Sequence, residues 1–243
     1  MVYTVKKAPG GGRLKRRLVA ACRFVASAAL TYAWLLVLLY TTILAHQFNR
    51  HQLHAVVVHR STNLHHLATD PLYVLFSSLL WIDGRYWFPY LFLFTAFLAP
   101  AERWLGHLRW VAVGLACHIC ATYFSEGLLY LEIDYHWVPE RLVNARDIGV
   151  SYFLVGVMAV LAYRIAKPWR WAYLGTLVLI FVISTAVKPG FTGIGHLSAI
   201  AVGLCFYPMA RTRAGVQWNP AAVWRRLRRS APAQPKRRAR ADA

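Results

Sequence analysis

The chain has 243 residues, of which 58% are hydrophobic and 14% aromatic, and it carries a formal net charge of +19. Its apolar residues fall into long runs, and a run of about 20 is enough to cross the hydrocarbon core of a bilayer. An ordinary soluble domain is therefore excluded. Nucleic acid is not an expected partner, because the basic residues flank the apolar runs and no DNA- or RNA-binding motif accompanies them.

The apolar runs, taken in chain order, predict six transmembrane helices. The first run covers residues 24–45, and it is too long for the apolar part of a signal peptide, so we interpret it as a retained span. Connections that carry charge, proline or glycine separate the later runs, at 86–101, 108–130, 148–163, 171–187 and 194–210. The expected fold is all-α, a polytopic membrane bundle of six helices with both termini on one side.

The distribution of lysine and arginine orients these spans. On the side of the termini we count 22 such residues, and on the opposite side six. Since short loops rich in Lys and Arg stay in the cytoplasm, the sequence predicts an integral plasma-membrane protein with cytoplasmic termini. It divides into a basic N-terminal segment (1–23), a membrane domain (24–210) and a basic tail (211–243) that we expect to be disordered and to attract anionic lipid headgroups.

The first external connection contains an apolar segment at residues 71–82. This segment is too short to span, and its length fits an element that dips into the membrane and returns. Several histidines precede it, but their spacing is irregular and no cysteine or acid joins them before Asp70, so we expect interfacial side chains rather than a metal site. They are His46, His51, His54, His59, His65 and His66.

A second possible metal site lies in the third span, where Cys117 and Cys120 flank His118. A Cys-x-x-Cys pair with an adjacent histidine can bind metal, but a second pair is needed to complete the usual site. Packing by small residues is the favoured interpretation. We therefore expect neither a metal ion nor another cofactor.

Two residues with catalytic potential open the fourth and sixth predicted spans. Ser151 follows Asp147, which can cap the helix, and His196 begins the last span. Both spans enter the membrane from outside, so the two side chains are expected at the same depth. A serine hydroxyl becomes a nucleophile when a neighbouring base takes its proton, and imidazole is the usual base near neutral pH. The alternative is that Ser151 is a packing residue and His196 a satisfied interior histidine.

Small residues near the histidine predict close helix packing. Gly195, Ala199 and Gly203 form a small-xxx-small pattern beside His196. In the fourth span, Gly149 and Gly156 lie roughly opposite Ser151, and we expect them to contact a different neighbour.

Glu126 lies near the outer end of the third span, at about the depth expected for His196. Two interpretations remain open. It is either an interfacial acid in water, which we favour, or a group that orients the imidazole.

These features resemble the rhomboid family of intramembrane serine proteases. In that family a Gly-x-Ser motif opens the fourth span, as at residues 149–151, and a histidine followed by small residues opens the sixth, as at 196–203. Residues 102–106 are similar to the family's Glu-x-x-Leu-Gly turn between the second and third spans. The resemblance covers residues 24–210 and implies the six-span fold, with Ser151 as nucleophile and His196 as general base.

Several positions depart from the family pattern. Tyr152 follows the serine, where proteolytic members usually have Gly or Ala, and Val155 replaces a tyrosine that stacks on the histidine. Tyr86 and Tyr90 stand where those members carry a His-x-x-x-Asn pair that helps to stabilise the oxyanion. The resemblance then implies an oxyanion site made by main-chain amides near Gly149, with Tyr86 as a substitute donor and Tyr90 one turn away.

Three functions remain open at this stage. The first is an intramembrane serine protease that cleaves single-span membrane proteins near the outer leaflet. The second is a catalytically inactive rhomboid-like protein that binds transmembrane helices or lipids, which the changed positions favour. The third is a small-solute transporter, which the lack of a convincing internal repeat disfavours.

Overall fold

The protein is described here by a computed structural model, which covers residues 11–82, 86–212, 217–222 and 224–225. These residues are predominantly helical, and within them no β-strand forms beyond a single parallel bridge between Ile165 and Trp218. The predicted all-helical fold is therefore confirmed. The predicted disorder of the basic tail concerns mainly residues 226–243, which lie outside the described part.

The helices follow one another in this order: α1 Gly11–Ala26, α2 Ala29–Gln47, α3 Arg50–His59, α4 Leu64–Thr69, α5 Pro71–Ser77, α6 Phe88–Leu93, α7 Ala99–Leu105, α8 His107–Asp134, α9 Val150–Leu161, α10 Trp169–Val187, α11 Phe191–Cys205 and α12 Tyr207–Arg211. Among the described helices, α2, α8 and α10 are long and apolar enough to cross a membrane. Helices α9 and α11 are apolar but shorter. The count of six spans stays a prediction.

The boundaries of two predicted spans differ from the helices that form. The first was expected to begin at residue 24, but a break at Ser27 and Ala28 separates α1 from α2, and the described part of the basic segment, from Gly11 onward, is helical. The second is a continuous helical run from α6 to α7 through a π-helical turn at Phe94–Leu98. Pro100 follows directly, and because proline lacks an N–H the regular hydrogen-bond ladder cannot continue through it.

Helices α8, α9 and α11 form the centre of the bundle. Gly156 of α9 faces Gly203 of α11 so closely that a Cβ on Gly203 would collide with the Gly156 carbonyl. A Cβ on Gly156 would in turn collide with Cys117 of α8. The expectation that Gly149 and Gly156 avoid the helix carrying His196 is therefore wrong for Gly156. The small-residue face of α9 is turned toward both α8 and α11 because only there can three backbones approach so closely.

Substitution of Gly203 tests this close approach. We expect Gly203→Ala to destabilise the fold by about 1–3 kcal/mol, because the added methyl group must push α11 away from α9. The measurement is the thermal unfolding midpoint of the purified protein in detergent micelles.

Gly175→Ala is the matched control, since a Cβ at that position of α10 meets nothing within 4 Å. Its midpoint should equal that of the unmodified protein or lie slightly above it, because alanine favours helix more than glycine does. Equal midpoints for the two variants would contradict the packing described here.

A buried carboxylate fixes the start of α2. Glu102 of α7 is 1% exposed and accepts hydrogen bonds from the amides of Leu30 (3.0 Å) and Thr31 (2.8 Å) and from the Thr31 hydroxyl (2.6 Å). His107 Nδ1 lies 2.6 Å from Glu102 Oε1, the oxygen that also accepts from the Leu30 amide. Glu102 thus caps α2 from a distant helix, since the first amides of a helix have no partner within it.

Replacing the carboxylate by its neutral isostere tests this cap. Glu102→Gln is expected to lower stability by about 1.5–3 kcal/mol, because an amide cannot accept all of these hydrogen bonds and buries an unmatched donor. Thermal unfolding in micelles measures the loss.

The exposed acid Glu140 provides the comparison. Glu140→Gln should leave the unfolding midpoint unchanged within error. A Glu102→Gln midpoint equally unaffected would show that the cap is dispensable.

The connection between α2 and α6 forms short helices that pack on the bundle. The apolar segment predicted to dip into the membrane becomes α5 and a 3-10 turn at Ser78–Leu80, and it buries Val74 and Leu79. The indole of Trp34 on α2 donates a 2.7 Å hydrogen bond to the Leu79 carbonyl. This segment is therefore anchored to the side of the bundle, where Leu79 and Leu80 lie close to Leu30 and Trp34 of α2.

Helix α10 is the least covered of the long helices. It buries Leu177 but exposes apolar side chains along its length, including Leu179, Ile180 and Ile183. Such a surface is unfavourable in water and is what a helix in contact with lipid presents.

Candidate functional site

The structure places Ser151 and His196 on neighbouring helices. Ser151 is the second residue of α9, half-buried, and its hydroxyl donates to the Ile148 carbonyl at 3.3 Å. His196 lies in the first half of α11, also half-buried, with a backbone hydrogen bond to Thr192. Both side chains thus lie near the same ends of two packed helices, and their depth in a membrane stays a prediction.

The two side chains do not bond to each other in this arrangement. In the described part of the chain, the Ser151 hydroxyl and the His196 imidazole each use a carbonyl of their own helix. By the 100° rule, Ser151 lies between Val155 and Met158 on α9. Val155 packs in the cluster that contains Ala199 and Ile200 of α11. Ser151 is therefore at the edge of the interface with α11, and the catalytic pair stays a prediction.

Tyr152 is the residue that contacts the histidine. Its ring lies edge-on to the His196 ring with 5.0 Å between centroids, and Phe181 of α10 stacks on the other side at 4.8 Å. Tyr152 is fully buried, and a Cβ on Gly195 would collide with it. Gly195 therefore makes room for a side chain, whereas Gly203 makes room for a backbone. The imidazole is held between two aromatic rings.

The sequence signal for this contact was the combination of a large residue on one helix and a small residue on the other. A large residue directly follows the serine, and a glycine directly precedes the histidine. The resemblance directed attention instead to position 155, one turn after the serine. Tyr152 supplies an aromatic ring to the histidine from a different position of the same helix.

The Tyr152 hydroxyl belongs to a buried polar network. It donates to Asp147 Oδ1 at 3.0 Å and lies 3.4 Å from the Ser125 hydroxyl of α8. Asp147 also accepts from the Thr62 hydroxyl (3.4 Å), and its amide donates to the Ser61 hydroxyl (3.0 Å). The network joins the connection between α2 and α6 to α8 and α9.

The expected role of Asp147 as a helix cap is wrong. The N-cap position of α9 is Gly149, and no side chain caps it. The Asp147 carboxylate turns instead toward Tyr152 and Thr62, because the buried phenol needs an acceptor away from water. Burial raises the pKa of the Asp147 carboxyl to about 7, although the hydrogen bonds from Tyr152 and Thr62 oppose the shift.

Glu126 is buried rather than interfacial, so the favoured interpretation of an acid in water is wrong. It is 2% exposed, and the Leu64 main chain approaches its carboxylate. Neither carboxylate oxygen completes a hydrogen bond with any residue that the structure describes. Glu126 interacts electrostatically with Asp147 and with Tyr152. Glu126 also lines a cavity of about 560 Å³ together with Leu64, Tyr123 and Tyr130.

The pH dependence of stability tests the Asp147 environment. Folding raises the pKa of this carboxyl from its ordinary value of 3.8 to about 7. The folded state therefore holds the proton more tightly than the unfolded state, so the stabilisation is complete below about pH 4 and is lost as the pH rises through about 7. Asp147→Asn keeps the acceptor for Tyr152 and cannot ionise.

The expected result is that the variant gains stability relative to the unmodified protein by about 1.4 kcal/mol per pH unit between the two pKa values. Unfolding midpoints of both proteins in micelles, measured from pH 4 to pH 8, provide the comparison. Parallel pH profiles would mean that the carboxyl titrates normally.

The residues proposed for the oxyanion site differ in their exposure. Gly149 is buried and lies at the start of α9, two residues before Ser151. Tyr86 is 81% exposed, and Tyr90 is half-buried with its ring 6.1 Å from that of Phe94. The role of both tyrosines stays a prediction.

His118 lies against Gly149, two residues before Ser151, and the sequence did not predict this contact. It is fully buried, and a Cβ on Gly149 would collide with its ring. Its Nε2 lies 3.0 Å from the Leu75 carbonyl and 3.5 Å from the Ser78 hydroxyl. His118 therefore attaches the segment that contains α5 to α8, next to Gly149. The signal was present, since a histidine in the middle of an apolar span must have polar partners.

The other candidate ligand groups do not converge. No group of three or more His, Cys, Asp or Glu side chains in the described ranges has the geometry to hold a metal ion. The four cysteines are free thiols, and Cys117 is buried where Cys120 is exposed. In the connection between α2 and α6, the ring centroids of His59 and His65 each lie within 5.4 Å of the ring centroid of His66.

Comparison with known proteins gives one match. A family model described as rhomboid-like protein matches residues 23–216, a range that contains Ser151, His196 and the buried network around Tyr152. No curated protein and no solved structure shows significant similarity to the chain.

Proposed function

The chain belongs to the rhomboid-like protein family, and from this premise we propose that it is an intramembrane serine protease in which Ser151 is the nucleophile and His196 the general base. The proposal includes six membrane crossings, both termini in the cytoplasm and residence in the cell membrane. The imbalance of Lys and Arg between the two sides of the chain supports this orientation. Its substrates are single-span membrane proteins.

One observation carries the proposal. The residue next to Ser151 contacts His196, and the two helices concerned pack with glycines at their closest approach. Hydroxyl and imidazole are therefore on adjacent surfaces at the same end of the bundle. The imidazole is held in place by Tyr152 and Phe181, and this fixed position favours a general base because little orientation must be gained during reaction.

The reaction requires one small rearrangement. The Ser151 hydroxyl must leave the Ile148 carbonyl and turn toward His196, which costs a hydrogen bond worth about 0.5–1.5 kcal/mol. Catalytic hydrogen bonds are often loose without substrate and tighten when it binds. The serine oxygen then attacks the substrate carbonyl while the imidazole takes its proton, and later returns it to the leaving amine. Main-chain amides at Gly149 and Ser151, with Tyr86, are the proposed oxyanion donors.

A second function is favoured by the same contacts. Each catalytic candidate is satisfied by a carbonyl of its own helix, and the bulky Tyr152 fills the space beside the histidine. These are features of a stable resting core. The second candidate is therefore a rhomboid-like protein that binds transmembrane segments without cleaving them.

Cleavage of a single-span model substrate in proteoliposomes tests the protease. Ser151→Ala and His196→Ala should each abolish cleavage, and a fluorophosphonate probe should label Ser151 in the unmodified protein, because both reactions need an activated serine. Unfolding midpoints of the variants show whether they are folded.

Ser198→Ala is the matched control, since Ser198 is a half-buried serine on α11 whose hydroxyl donates to the Gly195 carbonyl. It should cleave as the unmodified protein does. If the unmodified protein neither cleaves nor is labelled, the protease proposal fails. Co-purification of the same substrate with unmodified protein and with Ser151→Ala would then support the binding function.

A further inference from the structure

A second cavity lies at the opposite end of the bundle from the serine and histidine. Its volume is about 560 Å³, and it opens between the α6–α7 run, the end of α9 and the start of α10. Its walls are mainly apolar and are formed by Phe97, Leu161, Ile165 and Tyr173. A cavity with such walls at the surface of a membrane bundle has the shape and polarity to accept an aliphatic chain.

Two arginines form the polar part of the same cavity. Arg164 donates to the Pro100 carbonyl at 3.1 Å, and Arg103 donates to the Ser27 hydroxyl (2.6 Å) and the Phe24 carbonyl (2.8 Å). All three acceptors are uncharged. Arg103 is also close enough to Arg164 to repel it electrostatically. Two half-buried positive charges thus face one space.

The neighbouring acid forms no ion pair with these arginines. Glu102 precedes Arg103, but its carboxylate is used by the first amides of α2 and by His107. Among the residues that the structure describes, neither Arg103 nor Arg164 forms an ion pair. The Arg103 guanidinium also lies over the Phe24 ring, 3.7 Å from its centroid, but this contact leaves the repulsion between the two arginines uncompensated. An anion between the two guanidinium groups would relieve that repulsion.

Trp218 completes the wall from the segment that follows α12. Its amide donates to the Arg164 carbonyl at 2.9 Å, and its carbonyl accepts from the Ala166 amide at 3.0 Å. This pairing fixes the indole beside the arginines, where tryptophan commonly lies at the level of lipid headgroups. The cavity therefore has a polar end at headgroup level and an apolar end in the bundle.

We propose that this cavity binds one anionic phospholipid, with its phosphate between Arg103 and Arg164 and an acyl chain along Phe97, Leu161 and Tyr173. Guanidinium groups are suited to this role because they present several donors to a phosphate. The site is distinct from the general attraction of the basic termini for anionic lipid, because it has a defined apolar wall. It requires only that the chain lies in a bilayer, and is independent of proteolysis.

Native mass spectrometry of the protein released from micelles tests the proposal. The probes are phosphatidylglycerol and phosphatidylcholine with identical acyl chains, together with inorganic phosphate. Phosphatidylglycerol should be retained at one copy, whereas phosphatidylcholine and inorganic phosphate should not. Arg103→Gln or Arg164→Gln should weaken retention about fivefold, and the double variant more than tenfold.

Arg109→Gln is the matched control. Arg109 lies at the same end of the bundle and donates to the Thr212 hydroxyl at 2.9 Å, but it does not line the cavity. It should retain the lipid as the unmodified protein does, and Arg164→Lys should keep most of the affinity because it keeps the charge. Equal retention of the two phospholipids, or equal loss in the Arg109 and Arg164 variants, would overturn the proposal. Unfolding midpoints separate loss of binding from loss of fold.

Discussion

The close approach of α9 to α11 is the constraint on which the rest of the site depends. Gly156 and Gly203 allow the two backbones to touch, and Cys117 of α8 packs into the same contact. Without it, Tyr152 would not reach His196, and the aromatic pair around the imidazole would open. In a bilayer such contacts are driven by packing rather than by the hydrophobic effect, so small residues at the interface determine which helices associate.

Sequence reasoning succeeded where hydrophobicity and charge carry the information. The helical class and the family both follow from long apolar runs and from the motifs around Ser151 and His196. Helix ends were less accessible. The start of α2 depends on Glu102, a residue far away in sequence, and the π turn before Pro100 depends on local backbone hydrogen bonds. Neither leaves a periodic pattern in the sequence.

The polar interior was the part that the sequence did not reveal. Asp147 was expected to cap α9 and Glu126 to lie in water, yet both carboxylates are buried beside the connection between α2 and α6. The burial of Asp147 results from the packing of Ser61 and Thr62 on the loop before α9, and such a tertiary contact leaves no periodic pattern in the sequence. From the sequence alone, Tyr152 is identified only as a departure from the family pattern. Its position opposite Gly195 shows that a substitution at one helix position was matched by space on another.

The cap on α2 also has a consequence for the order in which the protein is made. Its donors at Leu30 and Thr31 precede their acceptor, Glu102, by 72 and 71 positions. During translation these amides leave the ribosome well before the carboxylate exists. The start of α2 therefore cannot be capped in this way until α7 has been synthesised and has folded back beside it. Before Glu102 has been synthesised, the junction between α1 and α2 lacks this cap. The native geometry of the break between these helices therefore depends on a segment that is made later.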